Sequence, residues 1–161
     1  MNPYASFLAH RNPREVIAET PHRLDGVARG LASGGLEHRP APGKWNAREI
    51  LCHLADTEIV FAFRLRQTVA EPHHTIQPFD QDTWASHYAA FDAAEALHVF
   101  STVRAWNRRF IESLPAEAFS KRVSHPERGE MTLQTVVETM AGHDLNHLRQ
   151  LDAIIAHAAS A

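Results

Sequence analysis

Apolar residues recur at helical spacing in four long stretches of this chain, and strand-like alternation is scarce. Leu24, Val27, Ala28 and Leu31 form one face of a first helix lying between Asn12 and Ala32. Asn12-Pro13 and Thr20-Pro21 each pair a capping residue with a proline suited to a first turn. The helix therefore either kinks at Pro21 or follows a shorter one. Ser33-Gly34-Gly35 ends it, and Arg39-Pro40-Ala41-Pro42-Gly43 is too rich in proline to be helical. A second helix opens at Asn46-Ala47-Arg48-Glu49, a capping box in which Asn46 caps and Glu49 reaches back. Trp45 precedes the cap and can staple onto Ile50. The inner face runs through Ile50, Leu54, Thr57, Phe61 and Leu65.

Ala70 to Asp82 reads as a long loop, of a length that often builds a lid or wall. Gln81 to Ala90 suits a short helix with Trp84 and Tyr88 on one side. Asp92-Ala93-Ala94-Glu95 is a further capping box. It starts a third long helix with the face Leu97, Phe100, Val103, Trp106 or Asn107, Phe110 and Leu114, ended by Pro115. Residues 116–131 form an ordered excursion with a turn at Arg128-Gly129. Thr132 caps a fourth helix that reaches about Ala158 and carries Val136, Met140, His143, His147, Leu151 and Ile154 on one face. The pattern predicts an all-α four-helix bundle forming one domain over residues 1–161, with a short extra helix and a minor hairpin.

Composition narrows the chemistry. Apolar residues make up 44% of the chain, as in a globular protein, and the net charge of −3 gives no electrostatic pull toward nucleic acid. A single cysteine, Cys52, excludes an internal disulfide and a cysteine-based zinc cluster. No signal-peptide pattern and no membrane-length apolar run is seen, so a cytoplasmic protein without a membrane partner is expected. Of the twelve histidines, His10, His22, His38, His73, His74, His87 and His157 have polar or terminal surroundings and are expected in solvent.

His143 and His147 differ from these, because they sit one turn apart in the middle of an apolar stripe. Two unpaired imidazoles on one core face are costly to bury, whereas an i, i+4 pair can hold one metal ion from a rigid helix. His53 falls in the corresponding stripe of the second helix. Three imidazoles without an obvious fourth protein ligand describe an open site for one divalent ion, zinc or nickel first, with manganese or iron as alternatives. A zinc protease would need Glu after the first histidine, where Asp144 stands, and the Glu-x-x-His motifs of a di-iron bundle are missing. Asp144 and Asn146 lie off the histidine face and read as supporting or surface groups. Gln150, Glu58 and Arg64 are within reach of the site, and Trp84 and Tyr88 are candidates for a pocket wall. No catalytic residue is identified.

Three motifs with their spacing carry a resemblance. Pro42-Gly43-Lys44-Trp45 with Arg48-Glu49-Ile50-Leu51-Cys52-His53-Leu54-Ala55-Asp56-Thr57-Glu58, then His125-Pro126-Glu127-Arg128-Gly129, then Gly142-His143-Asp144-Leu145-Asn146-His147, resemble the DinB superfamily and its YfiT-like branch from about Thr20 onward. The resemblance implies a four-helix bundle, often dimeric, with a divalent metal on His53, His143 and His147. It also implies metal-assisted chemistry of low-molecular-weight thiols, such as bacillithiol S-transfer or mycothiol-dependent isomerisation, or metal-dependent hydrolysis. The expected function is thus a metal-dependent enzyme, a thiol S-transferase or hydrolase acting on a small molecule through a metal-bound thiolate or water. The alternative is a metal-binding or stress-response protein without turnover.

Overall fold

A computed structural model describes residues 1–31 and 34–158. Six α-helices are present among them: α1 (Ala5–Leu8), α2 (Pro13–Leu31), α3 (Ala47–Ala70), α4 (Gln81–Ala85), α5 (Ala93–Ser113) and α6 (Leu133–Ala158). A hairpin of β1 (Arg122–His125) and β2 (Gly129–Thr132) precedes α6. The four long helices form the bundle, α2 packing on α5 and α6, and α3 on α5 and α6. Ser33, expected to end the first helix, lies outside the described residues.

Local chemistry sets the helix starts. Asn46 accepts a bond from the Glu49 N–H (2.8 Å) and Glu49 Oε2 accepts one from the Asn46 N–H (2.9 Å), so the capping box on α3 is reciprocal. The cap on α5 is one-sided, in contrast to the expected box: Asp92 Oδ1 accepts from the N–H groups of Ala94 and Glu95. Thr132 Oγ1 accepts from the Thr135 N–H (3.3 Å) at the start of α6. In the hairpin, Gly129 takes a φ of 73°, a left-handed conformation that favours glycine. The loop after α3 is tied to β1, with the Ile76 N–H donating to Ser124 O and the Ser124 N–H to His74 O.

Pro21 lies inside α2, which runs through it unbroken. Proline cannot donate to the carbonyl four residues back, here that of Ile17. That carbonyl accepts instead from Arg104 Nη1 on α5 (3.1 Å), so its hydrogen bond is supplied across the bundle.

The apolar core falls into two clusters. One holds Val16, Phe61, Ile111 and Met140; the other holds Leu24, Leu54, Phe100 and Leu151. Each long helix crosses a buried polar stretch between its contributions to the two: Thr20 on α2, Thr57 and Glu58 on α3, Arg104 and Asn107 on α5, and His143, Asp144 and His147 on α6. His53 joins this layer from the preceding turn of α3.

The buried face of α5 is Ala93, Ala96, Phe100, Arg104, Asn107 and Ile111; it shares Phe100 and Asn107 with the predicted series, whose Leu97, Phe110 and Leu114 pack half-buried against the core. Trp106 is 63% exposed. Of the two alternatives, Asn107 is the inward one, and Arg104 is the inward residue that an apolar pattern omits, held there by Asp144 on α6 and Glu58 on α3.

Candidate metal centre

Helical periodicity brings the three imidazoles together. His143 and His147 project from successive turns of α6, and His53 meets them from α3. The His53 and His143 Nε2 atoms are 3.0 Å apart, and those of His147 and His143 3.1 Å. All three side chains are buried. Burial holds the rings neutral: His53 is pushed down to about 3, His143 falls well below its usual value, and His147 is also lowered. Neutral imidazole is the form that binds a metal.

The rings cannot satisfy one another. Gln150 Oε1 lies 2.8 Å from His147 Nδ1, which donates to it as the N–H. His147 Nε2 then carries a lone pair. If His143 Nε2 is protonated it has one proton for two neighbours. If it is not, its lone pair faces that of His147. A cation at the meeting point would accept all three lone pairs. The donor set fits such an ion, since nitrogens bound tetrahedrally at about 2.0–2.1 Å from zinc lie about 3.3 Å apart. His53, His143 and His147 form a group able to hold a metal, with all ligand atoms within 4.8 Å of one another.

Aromatic side chains close off this volume. Trp45 lies over His53 (ring centroids 4.8 Å apart), Tyr4 meets His143 edge-on (5.3 Å), and Phe61 lies 6.1 Å from His143. Gly142 makes the Tyr4 contact possible, for a Cβ there would lie 2.7 Å from Tyr4 Cβ and from the Tyr4 carbonyl oxygen.

A buried charge network adjoins the rings. Arg104 donates to both Asp144 oxygens (2.6 and 3.0 Å) and to Glu58 Oε2 (2.7 Å). Thr20 donates to Asp144, and Asn107 to Glu58. Burial opposes the Arg104 charge, but Asp144 and Glu58 outweigh it and raise its pKa. For Glu58 burial wins over the arginine and the carboxyl is raised. The charge of Asp144 acts on His147 in the direction that favours a cation.

The other sequence candidates are dispersed. Asp144 is neither a surface group nor free, because Arg104 holds it. Glu58 is likewise committed to Arg104 and Asn107 and does not reach the imidazoles. Gln150 does, through His147. Arg64 lines a cleft of ≈ 70 Å³ together with His53, Thr57 and His143. Trp84 and Tyr88 do not share a wall. Trp84 is exposed and lies against Phe79, while Tyr88 is a core residue whose hydroxyl donates to Asp56 (3.0 Å). His74, expected in solvent, is buried, with Nδ1 2.6 Å from Glu71 Oε2. A larger cavity of ≈ 480 Å³ lies beyond Trp45 and Gln150 and shares Gln81 with the cleft.

Arg104, Tyr4, Trp45 and Arg128 were missed as parts of this region. Arg104 had a signal, as the lone charge in the series Phe100, Arg104, Asn107, Ile111. Tyr4 had none, because its place depends on how the N-terminal turn docks.

A four-helix bundle with a three-histidine cluster on two facing helices defines a known class of protein. The chain belongs to the DinB superfamily, whose sequence model matches residues 17–151. It is 24% identical over 145 residues to "Putative metal-dependent hydrolase OB0782" of Oceanobacillus iheyensis, covering 86% of this chain and 81% of that protein. A Bacillus cereus protein with the same form of name is 23% identical over 139 residues, covering 86% and 80%. Among solved structures, YfiT from Bacillus subtilis, described as a probable metal-dependent hydrolase with an unusual four-helix bundle topology, superposes with a TM-score of 0.84 at 19% identity. The superposition covers 91% of this chain and 86% of YfiT. That likeness establishes the fold.

Proposed function

We propose that this chain is a metal-dependent hydrolase that holds one divalent ion, zinc or nickel in the first place, on the Nε2 atoms of His53, His143 and His147. The observation that carries this reading is the meeting of three buried, neutral imidazole nitrogens that the protein alone cannot all satisfy. The names of the relatives agree with it. Such an ion, when bound, polarises a carbonyl or phosphoryl oxygen and acidifies water toward neutral pH.

The chain's own residues supply the rest. Gln150 fixes the tautomer and orientation of His147. Trp45, Tyr4 and Phe61 exclude bulk water from the rings. The cleft beside His53 and His143 gives a small molecule access. Cys52 is no nucleophile, since burial pushes its thiol up to about 11.

One observation favours a second reading, transfer of a low-molecular-weight thiol. Glu58 and Asp144, the buried carboxylates of the polar layer, are held by Arg104, which leaves neither free as a general base. A thiol ionised at the centre needs none. We further propose that two copies associate through exposed apolar residues such as Phe63 and Trp106, and that the protein works in the cytoplasm. No described helix is long and apolar enough to cross a membrane.

Metal analysis of the purified protein, followed by assays with chromogenic esters and with thiol acceptors, tests the proposal. One equivalent of divalent ion is expected, with turnover lost on chelation and restored by zinc or nickel. Protein that stays metal-free after supplementation would overturn the metal reading. Bound metal without turnover would leave the non-catalytic alternative.

A further inference from the structure

The cleft beside the imidazoles carries positive charge that no carboxylate among the described residues pairs with. Arg64 and Arg128 both line it, with Tyr4, His53 and His143. Arg64 lies eleven residues after His53 on α3, about three helical turns, and so on the same face. Its Nη2 donates to Gln77 O (3.3 Å), but its Nε is buried with no acceptor. The Arg128 side chain, beside the hairpin turn, has no hydrogen-bond or ion-pair partner among the described residues. Neither arginine takes part in any ion pair among them.

The two charges act on each other. Burial, and then the charge of Arg128, pushes Arg64 down to about 10. The Arg128 charge also acts on Tyr4 and His143. Acidic residues outnumber basic ones in the chain, 19 to 16, so a cleft with two guanidiniums and no lining carboxylate departs from the rest of the molecule. The Tyr4 hydroxyl adds a donor without a hydrogen-bond partner among the described residues. Guanidinium forks suit planar, multidentate anions, and an uncompensated pair of them is relieved by one.

We propose that Arg64, Arg128 and the Tyr4 hydroxyl form a subsite for an anionic group of the substrate, a carboxylate or a phosphoryl group. This rests on the reading of the imidazole cluster as the reaction centre: His53 and His143 line the same cleft, so an anion bound there lies beside the bond to be cleaved. The substrate class is then a small acid or phosphate ester. A neutral molecule of the same size lacks the anchor.

Calorimetric titration of succinate, inorganic phosphate and neutral succinamide tests this, using metal-free and zinc-loaded protein. The variants are R64Q, R128Q and the double substitution. Both anions should bind in both metal states, and succinamide in neither. Each single variant should weaken binding on the order of tenfold, as loss of a charge-assisted hydrogen bond does, and the double variant should abolish it. Tighter binding of phosphate assigns a phosphoryl group, and tighter binding of succinate a carboxylate. Should R64Q fail to fold, R128Q decides, because its side chain holds nothing else in place. Unchanged affinity in the variants, or anion binding that needs zinc and ignores the arginines, would overturn the subsite. Loss of metal binding with arginine-dependent anion binding retained would overturn the metal-enzyme reading alone.

Discussion

His53, His143 and His147 share one small volume only as uncharged rings. Each has a folded-state pKa below the ordinary value of 6.5, and that of His53 is about 3. As pH falls through 6.5 the unfolded chain takes up protons that the folded chain refuses, so stability is lost on acidification. The metal-free protein should therefore lose stability as pH falls below about 6.5, His53 contributing up to about 1.4 kcal/mol per pH unit down toward 3 and His143 and His147 adding to the loss in the same direction. H53Q should flatten the profile. Urea melts across that range check it, and a constant midpoint would contradict it. Arg104 presents the reverse problem, a charge kept charged. R104M would leave two carboxylates buried without their partner and should cost about 3–5 kcal/mol in equilibrium unfolding, the usual penalty for breaking a buried pair from one side.

Elements meet here through single side chains that stand in for missing backbone bonds or missing bulk. Arg104 on α5 reaches the carbonyl that Pro21 leaves open in α2, and it also reaches α3 and α6. Gly142 lets the turn around Tyr4 lie directly on α6. In an open helix interior, Gly to Ala would gain about 1 kcal/mol. At this position the added methyl meets Tyr4, and overpacking costs about 1–3 kcal/mol. G142A should therefore lower the melting temperature and speed amide exchange in Tyr4–Leu8, with little change in the core of α3. A stabilised variant with unchanged exchange would show that the contact is dispensable. The cap of α3 was readable from Asn46 and Glu49 because capping is local. On α5 the inward place of Arg104 was not, because its partners Asp144 and Glu58 lie on other helices.

Across the whole molecule, a polar layer divides two apolar clusters, and the candidate centre sits in that layer. Apolar packing above and below holds the layer, and the layer's charges are largely met by one another. Outside it, Phe63 (59% exposed) and Trp106 (63% exposed) are left without cover. If they pair two copies, solution scattering at micromolar concentration should give twice the chain mass, and F63D or W106D should return the monomer with helix content unchanged. A monomer mass for the unmodified protein would exclude this contact.

Features that depend on neighbours within a few residues are legible along the chain. Helical phase placed His143 and His147 one turn apart on one face and His53 on the inner face of its own helix. Side-chain oxygens at Asn46, Asp92 and Thr132 marked where three helices begin. A turn at Arg128-Gly129 marked the hairpin. These follow from backbone geometry, which a linear pattern records. Which polar groups are paired and which are left open follows from the packing of the helices. Asp144 and Glu58 carry the same carboxylate as any surface acid, and only the position of Arg104 commits them. Arg64 and Arg128 lie far apart in the chain, and only the packing of the hairpin against α3 and α6 brings two like charges to one cleft. Pairing and burial depend on distance between elements, and a chain read in order holds no measure of that distance.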